Sequence, residues 1–407
     1  MQPCSELKES VSTEPRDRKD SDCHFCSAAS VSAVVWFTMP PAAASSPLEF
    51  TQQVVPVGKG PGFIAIVDVN HDGRLDLLVA NTKDGTVTVL LADGKGHFTP
   101  APGSPFLCNP NPNDIAVADM TGNGNFDLVI ANHQTPYITI LLGDGRGGFK
   151  PSPHSPFATL SRPHPHGLAI GDFVGDGKPA VVTDSWGSDQ ILLMPSDGKG
   201  NLILPGKFFA IDGHSDQGVR TADFTKSGKL DIVTTGQNIN TIGLLLGDCK
   251  GGFRKAPGSP FPAGAAPWAF TVDDINSDGN PDVIVIPYHR SVPDPKQIGV
   301  TVLLGDGRGG FSAMHGSPRS LAGCDGPDRV AAGDITGNGL HDIVVSCALN
   351  NKVFFFLAAK DGSFSVGSRS VPTGWGGIAV GRLESSGKDS VVVSKNSSST
   401  ITILRNK

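Results

Sequence analysis

The chain has 407 residues with 51 Gly and 32 Pro, and of its 39 acidic residues 34 are Asp and only 5 are Glu. Long surface helices use Glu freely, so this composition excludes a helical architecture and implies a turn-rich chain. The net charge of −6 argues against a nucleic-acid partner. The longest strongly apolar stretch, residues 31–39, is far too short to span a bilayer.

Residues 1–47 differ from the rest. Their first half mixes charges with Ser and lacks an apolar period, as disordered segments do. An apolar stretch and Ala42-Ala43-Ala44 follow, which fit a secretory signal and its small-residue cleavage site. The preceding region is net acidic, against the signal pattern, and a mis-called start codon would reconcile the two. Cys23-His-Phe-Cys26 has no second ligand pair and reads as loosely ordered thiols. Export, to the medium, periplasm or cell surface, is the expectation.

From residue 48 one unit recurs: an apolar strand, an Asp-rich loop, a second apolar strand, a third strand ending in paired apolar residues, a Gly-Asp-Gly turn, then Phe. The clearest copy reads Phe63-Ile-Ala-Ile-Val-Asp68-Val-Asn70-His-Asp72-Gly73-Arg-Leu-Asp76. Loop anchors fall at Asp68, Asp119, Asp172, Asp223, Asp274, Asp334 and Arg382, at spacings of 51, 53, 51, 51, 60 and 48 residues. Strands such as Asp282-Val-Ile-Val-Ile286 are apolar on both faces and need cover on both sides. Four-stranded units of this length, stacked around an axis, make an all-β propeller, and seven copies make seven blades. The seventh unit ends after its third strand, so residues 48–55 are expected to supply its outer strand and close the ring. The propeller would span residues 48–407, as a monomer. Cys324 and Cys347 flank the first two strands of the sixth unit, where they could pair, whereas Cys108 has no such partner in its own unit.

The loops follow D-x-[N/T]-x-[D/N/S]-G-x-x-D, in which oxygen donors alternate around a Gly turn, as hard cations such as calcium require. These residues resemble the FG-GAP/VCBS repeats of integrin-α-type propellers and of many secreted bacterial proteins. The resemblance implies that the loops bind structural calcium on one face while ligands use the opposite, top face. The best donor sets are Asp68, Asn70, Asp72 and Asp76 in loop 1 and Asp274, Asn276, Asp278 and Asp282 in loop 5. Loop 2 (Asp119, Thr121, Asn123, Asp127) and loop 6 (Asp334, Thr336, Asn338, Asp342) keep two carboxylates each. Loop 4 (Asp223, Thr225, Ser227, Asp231) is weaker. Loop 3 carries Val174 and Ala180 at donor positions. Loop 7 carries Arg382, a cation where the metal needs an anion, and is expected to be metal-free.

Top-face loops vary between units, as binding loops on a rigid scaffold do. The fifth unit takes 21 residues from Asp282 to Leu303 where others take 14, and its insertion holds Tyr288, His289 and Arg290. His133, His166, Arg220 and Arg329 are further candidates. Trp186, Trp268 and Trp375 would stack on sugar rings, though Trp also fills blades. His164 and His166 suit a metal or a base, but Pro163 and Pro165 also make them a rim turn. No GxSxG, HExxH or GxxxxGK[ST] motif occurs. The expected function is a calcium-stabilised binding or adhesion module for an extracellular protein or glycan. Lectin-like sugar binding and, behind it, a polysaccharide-acting enzyme are the alternatives.

Overall fold

The computed structural model describes residues 48–159, 164–185, 187–215, 218–292 and 294–407. The expected signal, Cys23-His-Phe-Cys26 and Trp186 lie outside these residues.

Seven antiparallel sheets form seven blades. The first blade shows why these sequences become strands. Pro61–Val67, Asp76–Asn81 and Thr86–Ala92 are short apolar runs bounded by Asp and Gly turns, and Phe98–Pro100 adds the outer edge. Its second strand is buried at every position. The same holds for Asp127–Asn132, Asp231–Gly236, Asp282–Pro287 and Asp342–Cys347. Complete burial follows from stacking, since each sheet has a neighbour on both faces.

Among the described residues, seven apolar clusters lie at the blade–blade interfaces. The cluster between blades 1 and 2, for example, interleaves Leu78, Val87 and Val89 with Ile115, Leu128 and Ile130. Each such side chain contributes roughly 1.5–3 kcal/mol on burial, so stability resides mainly between blades.

The seventh blade closes the ring as expected. Phe50–Pro56 pairs antiparallel with Thr400–Asn406, from Phe50↔Asn406 to Pro56↔Thr400. Phe50 stacks on Phe355 of blade 6 at 4.9 Å, while Val55 packs with Ile64 and Leu77 of blade 1. The Ser394 hydroxyl joins blades 7 and 1, donating to the Gly62 carbonyl (2.7 Å) and accepting from the Gly377 amide (2.6 Å).

One expectation needs refinement. In blades 1, 2, 4 and 5 the outer edge is two short strands rather than one, both paired with the third strand. Cys324 and Cys347 form a disulfide (Cα–Cα 5.3 Å), and Cys108 is free and buried. Among the described residues no helix is long and apolar enough to cross a membrane.

Candidate functional site

The Asp loops join first strands to second strands, so they share one face of the ring. The opposite face is built from residues before first strands and after second strands. There, at the axis, lies a cavity of about 390 Å³. Blade 1 lends it Phe63 and Thr82, blade 2 Asn113, His133 and Gln134, and blade 3 His166. Trp268 of blade 5, Asp328 and Arg329 of blade 6, and Trp375 and Asn396 of blade 7 complete the wall.

Each side chain is held by its strand end. His133 follows the second strand of blade 2, and its amide donates to the Asn111 carbonyl (2.8 Å). The His166 carbonyl accepts from Asn113 Nδ2 (2.9 Å), and the next amide, of Gly167, donates to Asp184 (2.8 Å). The rings of His133 and His166 meet edge to face at 4.4 Å, with His164 5.0 Å from His133. Burial pushes the His133 imidazole down to about 4, with the positive fields of His166, His164 and Arg329 adding to the effect. Its neutral form therefore dominates at physiological pH.

Buried Asp328 accepts from the Gly376 amide (3.0 Å) and pairs with Arg329 Nη1 (3.2 Å). Burial raises its carboxyl above the usual range, while Arg329 opposes the shift. The blade 5 insertion forms two short 3-10 turns, His289–Ser291 and Pro295–Gln297. It reaches past blade 6: Tyr288 stacks on Trp268 (4.4 Å), His289 stacks on Trp375 (5.6 Å), and Arg290 lies over Trp375 (5.8 Å). Trp375 remains 39% exposed, which leaves part of its ring to a ligand.

Of the residues singled out from sequence, His133, His166, Trp268, Arg329 and Trp375 line the cavity. Tyr288, His289 and Arg290 buttress its two Trp residues instead of lining it. Arg220 sits deeper in the axis, paired with buried Asp114 (3.3 Å). Thr82 and Phe63 had no signal of their own, because only the convergence of blades brings them to the axis.

On the other face, the last Asp of five loops is a backbone staple. Asp76 accepts from the amides of Val69 (3.1 Å) and Ala92 (2.9 Å). Asp127, Asp231, Asp282 and Asp342 repeat this bridge from loop to third strand. The first Asp organises the turn; Asp274 accepts from the amides of Asp278 (3.0 Å) and Gly279 (2.8 Å). Burial raises Asp76 to about 6 and Asp282 to about 7, with two neighbouring carboxylates contributing in each loop. Crowded carboxylates in an all-oxygen set fit a divalent hard cation. In loop 1 Arg74 already pairs with Asp72 and would compete. In loop 7 Arg382 faces Asp389, and Glu384 is taken by Arg405.

An FG-GAP-like repeat model matches residues 68–130, 119–183 and 223–285, each stretch running from one Asp loop into the next blade. The chain carries FG-GAP-like repeats. The FG-GAP propeller is similar in structure to BBS1N in complex with ARL6DN, at 13% identity over 88% of this chain and 97% of that one (TM-score 0.57). A virginiamycin B lyase from Staphylococcus aureus, solved with quinupristin, aligns at 14% identity over 88% and 100% of the two chains (TM-score 0.55). An Agrocybe aegerita lectin that recognises non-reducing terminal N-acetylglucosamine aligns at 18% over 88% and 86% (TM-score 0.52). These likenesses concern the fold alone. No curated protein matches the sequence.

Proposed function

We propose that this FG-GAP propeller is an exported, calcium-stabilised binding protein whose axial cavity takes a small polar ligand of the carbohydrate class. The observation that carries this reading is the cavity wall: Trp268 and Trp375 face a ring of Thr82, Asn113, Gln134 and Asn396. Aromatic faces stack on pyranose C–H groups and amides bond hydroxyls. A concave site of this volume suits the end of a glycan better than a broad protein surface. The Cys324–Cys347 disulfide and the acid-lined loops suit an oxidising, calcium-rich compartment.

A glycan array probed with the full chain in millimolar calcium, and again with chelator, tests this. Specific signal that Trp375→Ala abolishes is expected. Absence of any signal from demonstrably folded protein would overturn it.

A second reading, catalysis on the same ligand, is favoured by His133, His166 and the Asp328–Arg329 pair converging in one cavity. Product analysis after incubation with the ligands bound on the array distinguishes turnover from binding.

A further inference from the structure

On the face opposite the Asp loops, three metal-competent side chains converge. One imidazole nitrogen from each of His133, His164 and His166 lies within 4.8 Å of the other two. Two adjacent blades supply them. His133 leaves the second strand of blade 2, while His164 and His166 lead into Leu168–Gly171 of blade 3. The backbone on both sides is pinned by the bonds from His133 to Asn111, from Asn113 to His166, and from Gly167 to Asp184.

We propose that His133, His164 and His166 bind one divalent transition-metal ion of the zinc class in the wall of the axial cavity. Zinc–nitrogen bonds of about 2.0–2.1 Å in a tetrahedral set place ligand nitrogens roughly 3.3 Å apart. Metal binding would close the observed spread to this distance by rotation of the three imidazole rings. Imidazole suits zinc, copper, nickel and cobalt but not calcium, so this site and the Asp loops on the far face select different ions. Three protein ligands leave a fourth position, the pattern of sites that receive water or substrate rather than of closed structural sites. His133 and His166 line the cavity, as does Arg329. An oxygen-donor ligand such as a carboxylate would meet both the metal and the guanidinium. The metal site stands independently of the carbohydrate reading.

The test uses the full chain carrying Cys23→Ser and Cys26→Ser, which removes a competing thiol pair. After chelator stripping, the protein is dialysed against cobalt or zinc with calcium in excess. One zinc per chain by elemental analysis is expected. Cobalt should give visible d–d bands without a thiolate charge-transfer band. His133→Ala and His166→Ala should each weaken cobalt binding by more than about 100-fold, beyond what loss of an outer-shell partner produces. His97→Ala, in an exposed turn of the opposite face, should change nothing. If the buried His166 variant fails to fold by circular dichroism, His133→Asn at a half-buried position carries the test. No cobalt bands, or bands that survive loss of His133, would overturn the proposal.

Discussion

At the axis, a hydrogen atom is the largest side chain that Gly377 can carry. A Cβ there would stand 2.4 Å from the Gly62 carbonyl oxygen of the next blade. Backbone cannot swing aside as a side chain can, so Gly377→Ala should destabilise the protein by about 1–3 kcal/mol. Gly367, with nothing within 4 Å, is the matched control, and Gly367→Ala should be neutral or slightly stabilising in the same denaturant titration. A second residue-scale test lies in the first hairpin turn. Asp93 accepts from His97 Nδ1 (2.9 Å) and from the amides of Lys95 and His97, and this holds its carboxyl down to about 2. A depressed folded-state pKa contributes stability above the ordinary 3.8 and loses it as pH falls toward 2. By carboxyl NMR, His97→Ala should return Asp93 toward the ordinary value and shrink that acid-side loss. Both sites rest on residues visible in the sequence, but only the turn that carries Asp93 was legible there, as one copy of the recurring turn. The turn is local, whereas the neighbour of Gly377 lies in another blade.

At the scale of elements, the split outer edges share one device. After the first short strand the chain turns away, and a Ser hydroxyl returns to accept the amide left without a strand partner. Ser104 serves Val89, Ser155 serves Ile140, Ser259 serves Leu244 and Ser317 serves Val302, all at 2.9–3.0 Å. Ser155→Ala would strand a buried donor and should cost about 1–2 kcal/mol in chemical denaturation, with the slope unchanged. The Ser-Pro pair that recurs at these four positions is visible in the sequence, but its strand register is not. The blade 5 insertion teaches the complementary lesson. Its length and its Tyr, His and Arg were readable, yet its reach past blade 6 to Trp375 depends on how neighbouring blades are arranged. Tyr288, nominated as a ligand contact, stacks on Trp268, and His289 and Arg290 lie against Trp375.

For the whole molecule, the seven-fold count and the closing strand were legible because each follows from a repeat and its spacing, while the face of the Asp loops came from the resemblance to FG-GAP/VCBS repeats. The cavity was only half legible. Entry loops named the candidates, but which of them reach the axis is decided by the ring. If the Asp loops hold calcium, its effect should be global, since stability is shared across blade interfaces. At an ion concentration ten times the dissociation constant, each occupied loop adds about 1.4 kcal/mol. Thermal unfolding should shift upward in calcium, and Asp274→Ala with Asp278→Ala should remove part of that shift. A midpoint indifferent to calcium would count against occupied loops.

The seam in blade 7 has a consequence for assembly. Phe50 and Asn406 pair across 355 intervening residues, so this contact is the slowest of the ring to form. Before it forms, six complete blades stand as an open arc with an empty slot beside Thr400–Asn406. The strand that fills the slot can come from a second copy as well as from the same one, because its register is written in the strand and not in the connection. Refolding at high concentration should therefore yield exchanged dimers, each copy lending residues 50–56 to the other, while refolding at low concentration yields closed single rings.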